Sequence, residues 1–150
     1  MTTRRIGVTV PAGNFVHERE FMQLQLPGVQ FRFSGFSYPP AGTSDFCIDM
    51  VGNLHAPIQA LRTWGADVIL VGCTTASMMC AGEDFTAKLE AAAGVPVITA
   101  ADATRQAARA LGARTLAVAT PYGEPNNRIV AQFLSSQGFE VAAIAGLNLD

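Results

Sequence analysis

Six short apolar runs punctuate this chain, at residues 6–10, 29–33, 67–71, 95–99, 116–119 and 140–144, most of them ended by Pro, Gly or a polar residue. Runs of that length, rich in Val, Ile and Leu, read as strands. Between most of them the apolar positions recur with the helical period. In 83–92 Phe85 and Leu89 stand four apart; 102–111 is a second such stretch; in 126–135 Ile129, Val130, Phe133 and Leu134 share one face. Strands alternating with helices require parallel pairing and right-handed crossovers, so the pattern predicts an α/β fold.

One longer stripe, Phe46, Met50, Leu54, Ile58 and Leu61, predicts helix over 44–64, but Pro57 lies inside it. An interior proline costs about 3 kcal/mol, so a kink is expected there, or a new helix with Pro57 in its first turn. The preceding Tyr38-Pro39-Pro40-Ala41-Gly42-Thr43 reads as a loop, either a plain connector or a lid beside a strand end.

The pattern also repeats. Arg5-Ile6-Gly7-Val8-Thr9-Val10-Pro11 leads through Gly13 and Asn14 into a helix and then a second strand. Thr115-Leu116-Ala117-Val118-Ala119-Thr120-Pro121 leads through Gly123, Asn126 and Asn127 into another helix and strand. The first copy continues to a third and a fourth strand, whereas the second stops at Asp150. Residues 1–112 therefore read as one complete unit and 113–150 as the opening βαβ of a second. So short a piece buries too little apolar surface to stand alone; it must pack on the first unit, pair with another chain or belong to a longer protein.

Composition narrows the partners. Of 150 residues 49% are hydrophobic and 15% charged, which describes a compact globule rather than a disordered chain. Ten scattered Lys and Arg against twelve Asp and Glu provide no basic field, so nucleic acid is not expected and a small molecule is. No apolar run approaches a membrane span, and the N-terminal one is too short for a signal peptide. The three cysteines cannot all pair within the chain and show no metal-ligand spacing, so a reducing cytoplasm is expected.

The chemistry gathers at strand ends. Gly72-Cys73-Thr74-Thr75 follows the run Ala66-Asp67-Val68-Ile69-Leu70-Val71 and opens a helix. A thiol there, under helix N–H groups, is either held partly as thiolate or is one more small core residue. Pro11-Ala12-Gly13-Asn14 and Thr120-Pro121-Tyr122-Gly123 close two other strands, and ligands of open parallel sheets bind outside such ends. Asn14 is a carboxylate donor or a helix cap; Thr74 and Thr75 are oxyanion donors or an ordinary N-cap; Tyr122 is a carboxylate ligand or a turn aromatic. Cys47 and Cys80 fall in helices and read as buried and inert. His17 and His55 are lone, and Glu83 and Asp84 read as solvated or dipole-stabilising residues at a helix start. Neither of the usual glycine-rich phosphate cradles occurs, and no cofactor or metal is indicated.

Taken in order, Ile6-Gly7-Val8-Thr9-Val10-Pro11 with Asn14, Ala66 through Thr74, Gly94-Val95-Pro96-Val97, and Thr120-Pro121-Tyr122 before Asn126 resemble the aspartate/glutamate racemase superfamily. The likeness is nearest to its maleate cis–trans isomerase and arylmalonate decarboxylase branch and covers essentially the whole chain. It implies two flavodoxin-like, three-layer halves related by pseudo-symmetry, each giving a cysteine to a shared cleft, with no metal or organic cofactor. By that resemblance Cys73 matches the first-half cysteine, Asn14 and Tyr122 match carboxylate-binding positions, and Thr74 and Thr75 match a dioxyanion pocket. The decarboxylases carry Gly where this chain has Cys73, which favours an isomerase or racemase. A second-half cysteine would fall beyond Asp150, and neither Cys47 nor Cys80 matches it.

The resulting expectation is the N-terminal part of a cytoplasmic, self-associating enzyme that isomerises a small, maleate-like dicarboxylate through the Cys73 thiolate. The alternatives are an arylmalonate decarboxylase-like enzyme, an amino-acid or hydantoin racemase, and, in another class, a non-catalytic carboxylate-binding module or a dimerising fragment.

Overall fold

The structure is a computed structural model that describes residues 3–40, 42–82 and 84–149. Ala41 of the loop, Glu83 and Asp150 lie outside the described residues. In chain order the elements are β1 (Arg4–Pro11), α1 (Phe15–Gln23), β2 (Val29–Phe36), α2 (Phe46–Trp64), β3 (Val68–Val71), α3 (Thr74–Met79), α4 (Phe85–Ala93), β4 (Val97–Thr99), α5 (Ala100–Ala110), β5 (Thr115–Thr120), α6 (Glu124–Ser136) and β6 (Glu140–Gly146). All six apolar runs are strands.

The first four strands form a parallel sheet in the order β2-β1-β3-β4. Side chains at paired positions of parallel strands share a face. Ile6 and Val8 therefore lie on the same side as Phe31 and Phe33, which meet Phe21 of α1 edge-on at 5.2 and 6.0 Å. Gly7 points the other way, where a Cβ would stand only 3.0 Å from Leu61 of α2. So α1 covers one face and α2 with α4 the other, giving the three layers of a flavodoxin-like fold. The main core fills the second interface, with Met50, Leu54, Ile58, Leu61, Ile69, Val71 and Leu89 almost wholly buried.

Pro57 neither ends α2 nor starts a new helix, and the 19-residue helix runs through it. Met50, Leu54, Pro57, Ile58 and Leu61 are all buried on its inner face. Burying each such side chain is worth about 1.5–3 kcal/mol, so together they outweigh the roughly 3 kcal/mol proline cost. Tertiary packing decides the element here.

The second βαβ forms its own two-stranded parallel sheet, β5-β6. It does not float. Val130, Phe133 and Leu134 of α6 join Phe139 and, from the earlier part of the chain, Met78, Ala101 and Ala108 in one apolar cluster. Helix α3 thus sits at the meeting of the two cores, with Cys73, Ala76 and Cys80 in the first and Met78 in the second.

Candidate active site

Strand β3 ends at Val71, and the backbone turns at Gly72, whose N–H donates to Thr9 O at 2.8 Å. A Cβ at Gly72 would lie 3.1 Å from that same oxygen and 3.4 Å from the His17 ring, so close passage of β3 beside β1 calls for glycine. Cys73 then caps α3 with extended backbone (φ −132°). Thr74 and Thr75 are the first two helical residues rather than the cap. Helix α3 has six residues, so few peptide dipoles align behind the thiol and the dipole contribution expected from the sequence is small.

What the sulfur does meet is a phenol. Tyr38 Oη lies 3.1 Å from Cys73 Sγ. Burial of the phenol, then its hydrogen bond to Cys73, then the proximity of Cys73 and Tyr122 all push the Tyr38 pKa well up, so it keeps its proton and is able to donate to the sulfur. Cys73 itself is buried, 4% exposed, and packs with the first core. Tyr38 stands between it and a cavity of about 460 Å³ that Phe46, Thr75, Met79, Tyr122 and Asn126 also line. A second cavity of the same size, about 460 Å³, is lined by Thr74, Thr104, Tyr122 and the length of β5. Tyr122 is common to both.

The loop that presents Tyr122 is pinned from α6. Asn127, nearly buried, accepts a 2.5 Å hydrogen bond from Thr120 Oγ1 and donates to Tyr122 O at 3.3 Å, while Tyr122 N donates to Thr120 Oγ1 at 3.1 Å. Helix α3 is pinned from α5: Ser77 Oγ donates to Thr74 O and accepts from Ala101 N. Two fixed turns therefore face one cavity.

Of the residues singled out from sequence, Thr75 and Tyr122 share the first cavity, Thr74 and Tyr122 share the second, and Cys73 reaches the first through Tyr38. Asn14 lines neither. Its Oδ1 accepts from Val16 N and His17 N as the N-cap of α1. Tyr38 was not singled out as a site residue; the available signal was an aromatic two positions past a strand end on the same sheet edge, beside Pro39-Pro40. Cys47 and Cys80 are not the separate inert thiols expected. They form a disulfide, because the first turn of α2 and the last turn of α3 bring their Cα atoms to 5.5 Å. Cys73 is the one free cysteine.

A parallel three-layer sheet with a thiol at a strand end and tyrosines beside a cavity places the protein in the aspartate/glutamate racemase superfamily, with a flavodoxin-like fold. More narrowly, the chain belongs to the arylmalonate decarboxylase family, whose sequence profile matches residues 6–150. It is 26% identical over 168 residues to a maleate isomerase of Geobacillus stearothermophilus, covering 97% of this chain and 64% of that protein. To a maleate isomerase of Nocardia farcinica it is 27% identical over 158 residues, covering 95% and 61%. The chain thus spans less than two thirds of the length of these relatives. Among solved structures it is similar to the Nocardia farcinica maleate cis–trans isomerase carrying a covalently bound succinylcysteine intermediate, with a TM-score of 0.79, 25% identity, and 97% of this chain and 64% of that chain covered. It is also similar to the maleate isomerase Iso of Pseudomonas putida S16, with a TM-score of 0.78, 26% identity, and 98% and 65% covered. An arylmalonate decarboxylase structure matches with a TM-score of 0.78, 26% identity, and 96% and 62% covered.

Proposed function

We propose that this chain carries the first-unit part of a cofactor-independent isomerase acting on a small dicarboxylate, in the manner of a maleate cis–trans isomerase. The observation that carries the reading is the 3.1 Å contact between the free thiol of Cys73 and the phenol of Tyr38, at the wall of a cavity shared with Thr75 and Tyr122. In the proposed step the Cys73 thiolate adds to one alkene carbon, and the π pair moves to the neighbouring carbon and its carboxylate. The former double bond then rotates as a single bond. Elimination of the thiolate gives the trans acid. Thr74, Thr75 and Tyr122 present hydroxyl and N–H donors to the carboxylates; Asn14, whose Oδ1 caps α1 just past the end of β1, is a further candidate through its side-chain amide N–H groups. Tyr38, which touches both the sulfur and the cavity, donates to the thiolate before addition and again as charge returns to the sulfur on elimination.

Residues 1–112 form the first unit of this scheme and 113–150 open the second. A second thiol, if the chemistry uses one, has to come from outside these 150 residues, since Cys47 and Cys80 are bonded to each other. The edge of β5 away from β6 has no strand partner among the described residues, which supports self-association. Cytoplasmic placement fits a small-acid isomerase, and among the described residues no helix is long and apolar enough to cross a membrane.

Proton NMR of the purified protein with maleate, with phenylmalonate and with aspartate separates the readings. Loss of the maleate alkene signal, as fumarate or as a succinyl adduct on Cys73, supports the isomerase. Release of carbon dioxide from phenylmalonate, or exchange of the aspartate α-proton, with maleate untouched would move the assignment to a decarboxylase or a racemase. Reversible binding of maleate without either change would leave a carboxylate-binding module.

A further inference from the structure

Cys47 and Cys80 stand 33 positions apart in the sequence, yet they join two walls of the cavity. Phe46, the neighbour of Cys47, lines it from the first turn of α2, and Met79, the neighbour of Cys80, lines it from the last turn of α3. Helix α3 is too short to hold itself by its own hydrogen bonds. Its other packing is mainly on α5 and α6 rather than on α2. Cys73 caps one end of it and Cys80 the other. The reactive thiol and the tether are therefore the two ends of a single six-residue helix.

We propose that the Cys47–Cys80 disulfide is a releasable positioning device for Cys73. Oxidised, it fixes α3 against α2 and holds the Cys73–Tyr38 contact at the cavity wall. Reduced by a dithiol, it frees the end of α3, parts the Phe46 and Met79 walls and exposes the thiol. Cys80 is fully buried while Cys47 is partly exposed, so the reductant's thiolate attacks Cys47 Sγ and Cys80 leaves as thiolate and takes up a proton. The reductant's second thiol then closes on its own first sulfur, releasing Cys47 as the second thiol. Two electrons and two protons pass from the dithiol to the protein. In a reducing compartment a disulfide of this kind is transient and sensing rather than permanent, which suits a bond beside a functional thiol. The inference rests on Cys73 as the thiol of the site, and its test reads the motion of α3 separately from any turnover.

The experiment compares the protein treated with oxidised glutathione and with dithiothreitol. Peptide mapping establishes the Cys47–Cys80 link in each state. Amide hydrogen exchange then follows α3, and the rate of iodoacetamide labelling follows Cys73. Reduction is expected to speed exchange in α3 and labelling of Cys73 by about tenfold or more, with β1 and α5 unchanged and with reversal on reoxidation. Cys47→Ser/Cys80→Ser should reproduce the reduced state; should that variant fail to fold, the reduction series on the unmodified chain decides alone. Free Cys47 and Cys80 thiols after oxidation would overturn the proposal. So would equal α3 exchange in both states, or faster exchange spread evenly through the chain, which marks a brace of the whole fold. If α3 loosens while Cys73 never labels in either state, the positioning role fails, and the use of Cys73 in the site is then judged by the maleate experiment.

Discussion

Tyr38 is the residue on which the proposed site turns. Its ring packs edge-on against buried Phe36 at 5.7 Å, and its hydroxyl meets the Cys73 sulfur, so Tyr38→Phe removes the second contact and keeps the first. A hydrogen bond to a charged group is worth about 1.5–3 kcal/mol; the variant should therefore label at Cys73 about tenfold or more slowly at neutral pH, with little change in melting temperature. Asn127 acts one layer further out. Asn127→Ala removes the acceptor of the Thr120 hydroxyl and one of the two donors to Tyr122 O, at a cost of about 1–3 kcal/mol, measurable by urea unfolding. Cys73, Thr75 and Tyr122 were legible in the sequence because each follows a strand and sheet topology puts strand ends together. Tyr38 was not, since what distinguishes it is a contact across 35 positions that no local pattern encodes. The Cys47–Cys80 pairing escaped for the same reason: helix phase alone does not say which two helix ends meet.

At the scale of elements, the turn into α3 and the start of α5 are the parts most open to test. Gly72→Ala forces a Cβ against Thr9 O and the His17 ring, and should cost about 1–3 kcal/mol in stability, read by urea unfolding. Asp102, in the first turn of α5, gives a pH signature. Burial alone would raise its pKa, but hydrogen bonds from Thr99, Thr86 and Arg105 outweigh it and set the pKa below the usual 3.8. A lowered folded pKa stabilises the fold above the unfolded value and loses that contribution as pH falls through the folded one. Asp102→Asn should therefore be less stable than the unmodified chain at neutral pH, with the gap closing in acid below about pH 4, as thermal melts across pH would show. The existence of α2 was plain from its stripe, whereas its continuity through Pro57 was not, because a local cost of about 3 kcal/mol was overridden by burial that only the assembled sheet provides.

At the scale of the molecule, two parallel sheets meet through α3, α5 and α6, and the alternation of strands and helices was enough to foresee that class. The assignment of Met78, Ala101 and Ala108 to the second core was not foreseeable, since it depends on how the two βαβ pieces dock. The resemblance implies that each half gives a cysteine to the cleft, and the 150-residue chain offers one free thiol; it should therefore add to maleate without sustained release of fumarate, and its solution mass should exceed that of a monomer. Robust turnover by a monomer would show that one thiol is enough. The central claim, that the Cys73 thiol serves a carboxylate cavity, is tested most directly by iodoacetamide labelling of the folded, oxidised protein, mapped by mass spectrometry with and without maleate. The account predicts label on Cys73, slowed as maleate concentration rises. Labelling of Cys73 only after unfolding, or at a rate indifferent to maleate, would contradict it.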